Sequence, residues 1–239
     1  MGNGWKKKRF WNEATCKPVD CGFTVHLDGR PLLTPSKSPL IVPQERIALA
    51  IAEEWQAQTG EIDPEKMPVT RTANAAIDKV RPQFDAVVEQ IAAYADTDLL
   101  CYRAEAPKEL RERQAKAWDP LLDWAADAFG ARLISGTGVI HIPQDTNALS
   151  RLRQTALAMD SFQIAAFHDL VGLSGSFVIG LAATRKFLPI EELWKRSRVD
   201  EDWQVENWGV DEIADRESTL KFRDFLHANR FFDLARHGE

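Results

Sequence analysis

The sequence predicts an α+β protein, with a small N-terminal β-sheet domain covered by one helix and a larger, mostly α-helical C-terminal domain. Three observations carry that prediction. Apolar and polar residues alternate through 23–27 and stop at Asp28-Gly29; the apolar spacing then changes to four at Ile47, Ile51 and Trp55; and helical periodicity dominates beyond residue 80. A period of two marks pleated chain and a period near 3.6 marks helix, so the change of period separates the two domains.

Within the first domain, Phe23, Val25 and Leu27 alternate with Thr24 and His26 before Asp28-Gly29. Asp-Gly accepts positive φ at low steric cost, so 23–27 and 30–34 are expected to pair as an antiparallel hairpin, with 40–42 as a third strand after Pro39. From Pro43 onward Ile47, Ile51 and Trp55, with Leu49 beside them, form a helix that Gly60 stops. A sheet that needs one face covered would use this helix. Pro64, Pro68 and Pro82 punctuate the next stretch, which holds a short helix at 72–80. The domain boundary is placed there, giving domains 1–80 and 81–239.

The second domain opens with Phe84, Val87, Val88 and Ile91 on one helical face, then Leu110, Trp118, Leu121, Leu122, Ala125 and Phe129 on another. Segment 131–142 is the exception. Lying between Gly130 and Pro143 and interrupted by Gly136 and Gly138, it reads as a strand or two able to return to the first sheet. Helices resume at 146–159, 162–173 and 174–187, where Gly172, Gly175, Gly180, Ala182 and Ala183 would permit close backbone approach. Pro189 opens another helix carrying Leu193 and Trp194, and a final helix covers 211–229.

The 239 residues are 44% hydrophobic and 28% charged, as in ordinary folded domains, and the formal net charge is −6. Nucleic-acid affinity comes mostly from Lys and Arg neutralising phosphates, so nucleic acid is not an expected partner. The basic run Lys6-Lys7-Lys8-Arg9 sits at a chain end and reads as a solvated tail. Cys16, Cys21 and Cys101 are too few and too odd in number for a disulfide framework, which points to a reducing compartment. Patterned sequence begins by about Phe10 with no apolar signal region before it. The longest charge-free apolar stretch, 170–184, falls short of the roughly 20 residues that span a bilayer and is broken by glycines, so no membrane insertion is expected.

A search for chemistry returns little. There is no G-x-x-x-x-G-K-[ST] phosphate loop, and Gly136-Thr137-Gly138 lacks the third glycine of a dinucleotide fingerprint. Gly172-Leu173-Ser174-Gly175-Ser176 departs from a nucleophile elbow at its fifth position and lies in helical sequence. Cys16, Cys21 and His26 lack a second ligand pair at finger-like spacing, while His141, His168, His227 and His237 are scattered singly. No catalytic residue, cofactor site or metal site is assigned, and an enzyme is not expected.

The densest unusual feature is acidic: Asp200, Glu201, Asp202 and Glu206, then Asp211, Glu212, Asp215 and Glu217, opposed in that stretch only by Arg216. Such a run is ordinarily a solvated helix face. Here Trp203 and Trp208 are interleaved with it, and large aromatics beside charge are the composition of a recognition surface. Of the eight tryptophans, Trp5, Trp11, Trp55, Trp118, Trp124 and Trp194 are assigned to packing, while Trp203 and Trp208 are the exceptions. The partner-binding candidates are therefore Asp200, Glu201, Asp202, Trp203, Glu206 and Trp208. A rival use is a divalent-metal enzyme with Asp200, Asp202 and Glu206 as oxygen ligands. Residues at i and i+2 do not share a helix face, which argues against it. A helical adaptor with some other client is a third possibility.

Several strings follow one another in a familiar order: Glu53-Glu54-Trp55-Gln56; Met67-Pro68-Val69-Thr70 with Asn74-Ala75-Ala76-Ile77-Asp78; Thr97-Asp98-Leu99-Leu100-Cys101-Tyr102-Arg103; Trp118-Asp119-Pro120-Leu121-Leu122-Asp123-Trp124; and Ser197-Arg198-Val199-Asp200-Glu201-Asp202-Trp203-Gln204-Val205-Glu206-Asn207-Trp208-Gly209. In that order the chain resembles the assembly chaperones of the ATP synthase F-one sector that bind the alpha subunit, a family of mitochondria and alphaproteobacteria, and the resemblance covers residues 9 to 217 in outline. The resemblance implies a two-domain protein without catalysis or cofactor. Its partner would be the unassembled alpha subunit, kept from aggregating without ATP until the beta subunit replaces it. It also implies that an acidic position just before Gln-x-x-x-Trp-Gly matters, which is Asp200 here. The family's usual glutamate is aspartate at this position, so the role is shared among Asp200, Glu201 and Asp202. Mitochondrial members carry a targeting extension that this chain lacks, so the expectation is a bacterial cytoplasm, or the mitochondrial matrix for a processed eukaryotic form, and a monomer when free.

Overall fold

The computed structural model describes residues 8–236, so Trp5, Lys6, Lys7 and His237 lie outside the described residues. The chain divides into two compact units. One holds the described residues up to Gln83 together with Ser161–Ala165 and the stretch from Arg230; the other holds Phe84–Asp160 and Ala166–Asn229. The α+β class expected from the sequence is the class found.

In the first unit, strands β1 (Ala14–Val19), β2 (Gly22–Leu27), β3 (Arg30–Pro31) and β4 (Ile41–Val42) form one sheet with β2 at its centre. β1 runs antiparallel along all of β2 with Cys16 opposite Val25, while β3 and β4 pair with opposite ends of β2 through His26–Pro31 and Phe23–Val42. Asp28 and Gly29 both have positive φ, 47° and 82°, the geometry of a type I′ turn whose twist matches the strands. The Asp28 carboxylate also accepts the backbone N–H groups of Asn12 and Glu13, which hold its pKa below the ordinary aspartate value. The β3 ladder is shorter than the 30–34 expected because the chain folds back at once: Thr34 N–H donates to Ser38 O at 2.9 Å and Leu40 N–H to Leu32 O at 3.1 Å.

Helix α1 (Glu45–Gln56) packs on β1, β2 and β4 and buries Ile47, Ala48, Ile51 and Ala52 against the sheet. Leu49 is exposed, since two residues from Ile47 is about 200° around a 3.6-residue turn. The helix ends at Gln56, before Gly60, and the Gln56 side chain accepts Ala14 N–H and donates to Asn12 O, tying the helix end to the start of β1. Glu54 accepts the N–H groups of Val69 at 2.7 Å and Thr70 at 2.8 Å, capping helix α2 (Pro68–Ala75) whose first amides would otherwise be unpaired. A π-helical turn, Ala76–Val80, continues α2 and presents Asp78 to Thr34 Oγ1 at 2.7 Å and Ser36 N–H at 3.1 Å.

The remaining elements are α3 (Phe84–Asp96), β5 (Tyr102–Arg103), α4 (Lys108–Phe129), β6 (Gly136–Thr137), α5 (Thr146–Leu157), α6 (Ser161–Ser174), α7 (Phe177–Thr184), α8 (Ile190–Ser197), α9 (Val199–Trp208) and α10 (Glu212–Ala235). Every residue of α7 is buried, and the helix packs against α3, α4 and α8. A Cβ at Gly180 would meet Val171 Cγ2 at 2.7 Å and Phe167 Cε2 at 3.0 Å, so glycine is required there by packing. Gly172, by contrast, faces open space, and Gly175 serves a positive φ of 70°. Fully buried Asp98 accepts Leu100 N–H at 3.0 Å and Val178 N–H at 3.1 Å, joining the chain after α3 to the start of α7; burial pushes its carboxyl up to about 6.

Segment 131–142 does not return to the first sheet. Its strand β6 pairs in parallel with β5, Tyr102 opposite Gly136 and Arg103 opposite Thr137. Local strands already occupy both edges of β2. The segment is also clamped within the second unit by Gln144, whose side chain accepts Ile134 N–H at 2.7 Å and donates to Ile134 O at 3.0 Å.

Candidate functional site

α9 begins directly after Arg198 and places Asp200, Glu201 and Asp202 in its first turn, where the positive end of the helix dipole favours carboxylates. It stops at Trp208 because Gly209 turns the chain with a φ of 88°. Its support is α4. Gln114, buried on α4, donates its side-chain N–H to Asp200 at 2.7 Å, and the neighbouring Arg113 pairs with Glu206 at 2.6 Å. Glu201 pairs with Arg198 at 2.8 Å.

These contacts sort the six sequence-predicted residues onto different faces of one helix. Asp200, Trp203 and Trp208 line a cleft of about 480 Å³ whose other walls include Tyr102, Leu110 and Val139. Asp202 lines a separate hollow with Arg113, Lys116 and Arg196. Glu206 is turned toward Arg113 as well, and the hydrogen bond from that guanidinium holds the Glu206 carboxyl below its usual range. Partial burial raises the Asp202 carboxyl, the attraction of Arg113 only partly offsetting it. Trp203 is half-buried, whereas Trp208 is 77% exposed. Trp11, Trp118 and Trp194 are buried, and Trp55 and Trp124 are half-buried.

Several residues in or close in the chain to this surface are not found by sequence reasoning. Val139 and Ile140 are 94% and 81% exposed, and Val210 and Ile213, just beyond α9, are exposed too. Their β-branched apolar character points to buried strand, so only a mismatch with the flanking glycines could have flagged Val139 and Ile140. Gln114 and Arg113 have no sequence signal, because nothing in α4 marks them as partners of residues more than eighty positions away.

The arrangement does not suit a divalent ion shared by Asp200, Asp202 and Glu206, since Asp200 faces Gln114 and the cleft while Glu206 faces Arg113. Among the described residues no group of three His, Cys, Asp or Glu side chains is placed to hold a metal, and no helix is long and apolar enough to cross a membrane. What the surface can do is bind, through exposed aromatic and aliphatic side chains bordered by carboxylates.

Comparison with known proteins gives the family of the chain. Residues 8–126 match the family model described as ATP12 chaperone protein. The mitochondrial protein atp12 of Schizosaccharomyces pombe is 28% identical over 219 residues, covering 87% of this chain and 75% of that protein. The crystal structure of Atp12 from Paracoccus denitrificans is 47% identical with a TM-score of 0.94, covering 97% of this chain and 100% of that one. The Atu1473 protein of Agrobacterium tumefaciens is 38% identical with a TM-score of 0.92, covering 96% and 86%.

Proposed function

The chain belongs to the ATP12 chaperone family, a family of chaperones and not of enzymes, and on that premise we propose that it holds the unassembled alpha subunit of the F-type ATP synthase head and prevents its aggregation until the beta subunit takes its place. The observation that carries this reading is the exposed Trp208 beside Asp200 and Trp203 on α9. A free alpha subunit exposes apolar surface that assembly will bury, and such surface aggregates unless it is covered. Trp208 and Trp203 would supply most of the binding energy, while the carboxylates of α9 would orient the client by complementary charge. Binding by surface contact needs no nucleotide hydrolysis, and release follows when beta competes for the same face. The free chaperone would be a monomer, working in a bacterial cytoplasm or, for a processed eukaryotic form, in the mitochondrial matrix.

Light scattering of purified alpha subunit tests the reading. Equimolar wild-type protein should suppress the rise in scattering, and Asp200→Lys should suppress it less. Equal protection by the variant would remove the acidic face from the account, and no protection by wild type would remove the function.

A further inference from the structure

The cleft beside α9 has a second jaw. Gly138 N–H donates to Arg103 O at 2.8 Å, fixing the loop after β6 against β5, and the loop then carries Val139 and Ile140 out into solvent. A Cβ at Gly138 would collide with the Glu105 carboxylate at 2.6 Å, so Glu105 lies directly against this loop. Val139, Tyr102 and Leu110 thus face Trp203 and Trp208 across an apolar cleft, with Glu105 and Asp200 as the carboxylates among its lining.

The charge of that lining selects an occupant. Arg103 is the cation in the wall, and it is spent: its guanidinium donates to Leu100 O, pairs with Asp119 at 2.6 Å and stacks over the Trp118 ring at 4.9 Å. Among the described residues neither Glu105 nor Asp200 pairs with a cation, the latter receiving only the neutral amide of Gln114. Uncompensated negative charge between apolar walls repels anions and concentrates cations. A volume of about 480 Å³ would also admit a small molecule. Trp208 in the lining and Ile140, next in the chain to Val139, nevertheless stand 77% and 81% exposed, and exposed apolar side chains of this size are what a polypeptide covers.

We propose that the loop carrying Val139 and Ile140, together with Trp203, Trp208, Glu105 and Asp200, grips a client segment in which a large apolar side chain stands next to a lysine or arginine. The apolar side chain enters the cleft and the cation meets Glu105 and Asp200. This rests on the chaperone reading for the identity of the client, and it adds the chemical rule by which a segment is chosen.

The test uses two short synthetic helical peptides with the same leucine and phenylalanine ridge, one flanked by lysine and arginine and the other by glutamate, titrated by fluorescence anisotropy into the full chain. Wild type should bind the cationic peptide at least about tenfold more tightly, and both Val139→Ser/Ile140→Ser and Glu105→Lys should weaken that binding by about tenfold or more. Equal affinity for the two peptides, or variants that bind like wild type, would overturn the proposal. So would concentration-dependent self-association abolished by Val139→Ser/Ile140→Ser, which would make the occupant a second copy of this chain. Purified alpha subunit is the parallel arm. Capture of alpha with indifference to the cationic peptide sinks the segment rule and leaves the chaperone reading standing, whereas the reverse result sinks the chaperone reading and leaves the cleft.

Discussion

Gln114 donates its side-chain N–H to Asp200 at 2.7 Å while its carbonyl oxygen accepts Ala104 N–H at 2.8 Å. Both ends of a buried amide are therefore in use, its orientation is settled, and the Asp200 carboxylate is held toward the cleft instead of swinging with solvent. Positioning that carboxylate is the job of a residue on another helix.

Replacing Gln114 with leucine keeps bulk but leaves Ala104 N–H without its acceptor. Orphaning a buried donor costs about 1–3 kcal/mol, and the half-buried Ala104 N–H should cost part of that, so urea unfolding of Gln114→Leu should show a lower midpoint. The same variant should also protect the alpha subunit less well at a temperature where it is fully folded, because Asp200 is no longer oriented.

Trp208 separates stability from binding most cleanly. Being largely exposed, it should change unfolding free energy by no more than about 0.5 kcal/mol when replaced with alanine. An interface anchor of this type typically costs about 2 kcal/mol or more on truncation. Calorimetric titration of alpha subunit into Trp208→Ala should therefore show a large affinity loss with an unchanged melting temperature.

Asp98 gives a pH signature. Its folded pKa of about 6 lies above the ordinary aspartate value of 3.8, so the folded protein holds the extra proton between those values and loses stability as pH rises through that window. Asp98→Asn does not titrate and lacks this slope, and its amide nitrogen replaces one of the two oxygens, so it confronts either the Leu100 or the Val178 N–H donor. Wild type should lead the variant most near pH 4, and the lead should narrow toward pH 7 in urea titrations.

Two glycines of the small-residue helices should respond in opposite directions. Gly180→Ala pushes a methyl into Val171 and Phe167, an overpacking worth about 1–3 kcal/mol of destabilisation. Gly172→Ala meets no neighbour inside a helix and should stabilise by about 0.5–1 kcal/mol. Differential scanning calorimetry of the pair checks both signs.

How much of this was legible in the sequence depends on whether the determinant is local. The Asp28-Gly29 turn and the Ile47–Ile51 stripe are dictated by neighbours in the chain, and both are where the sequence places them. Strand β1 escaped notice because Pro18 interrupts it and its outer half is exposed, which blurs the alternation. Segment 131–142 pairs with β5 and not with the first sheet, which its sequence does not reveal because β propensity says nothing about which strand it will meet. The strings that carry the family resemblance proved to be largely scaffold: Glu54 caps α2, Asp78 holds the 34–38 turn, and Asp98 ties the start of α7. The acid and tryptophan cluster of α9 was visible as composition. Its division between faces was not, since Gln114 and Arg113 reach it from across the fold.

Hydrogen exchange of the full chain with and without purified alpha subunit tests the central claim most directly. The account expects alpha to slow exchange in peptides covering 136–142 and 199–213 while leaving β1 and β2 unchanged. Protection confined to the N-terminal sheet, or no change anywhere at saturating alpha, would contradict it.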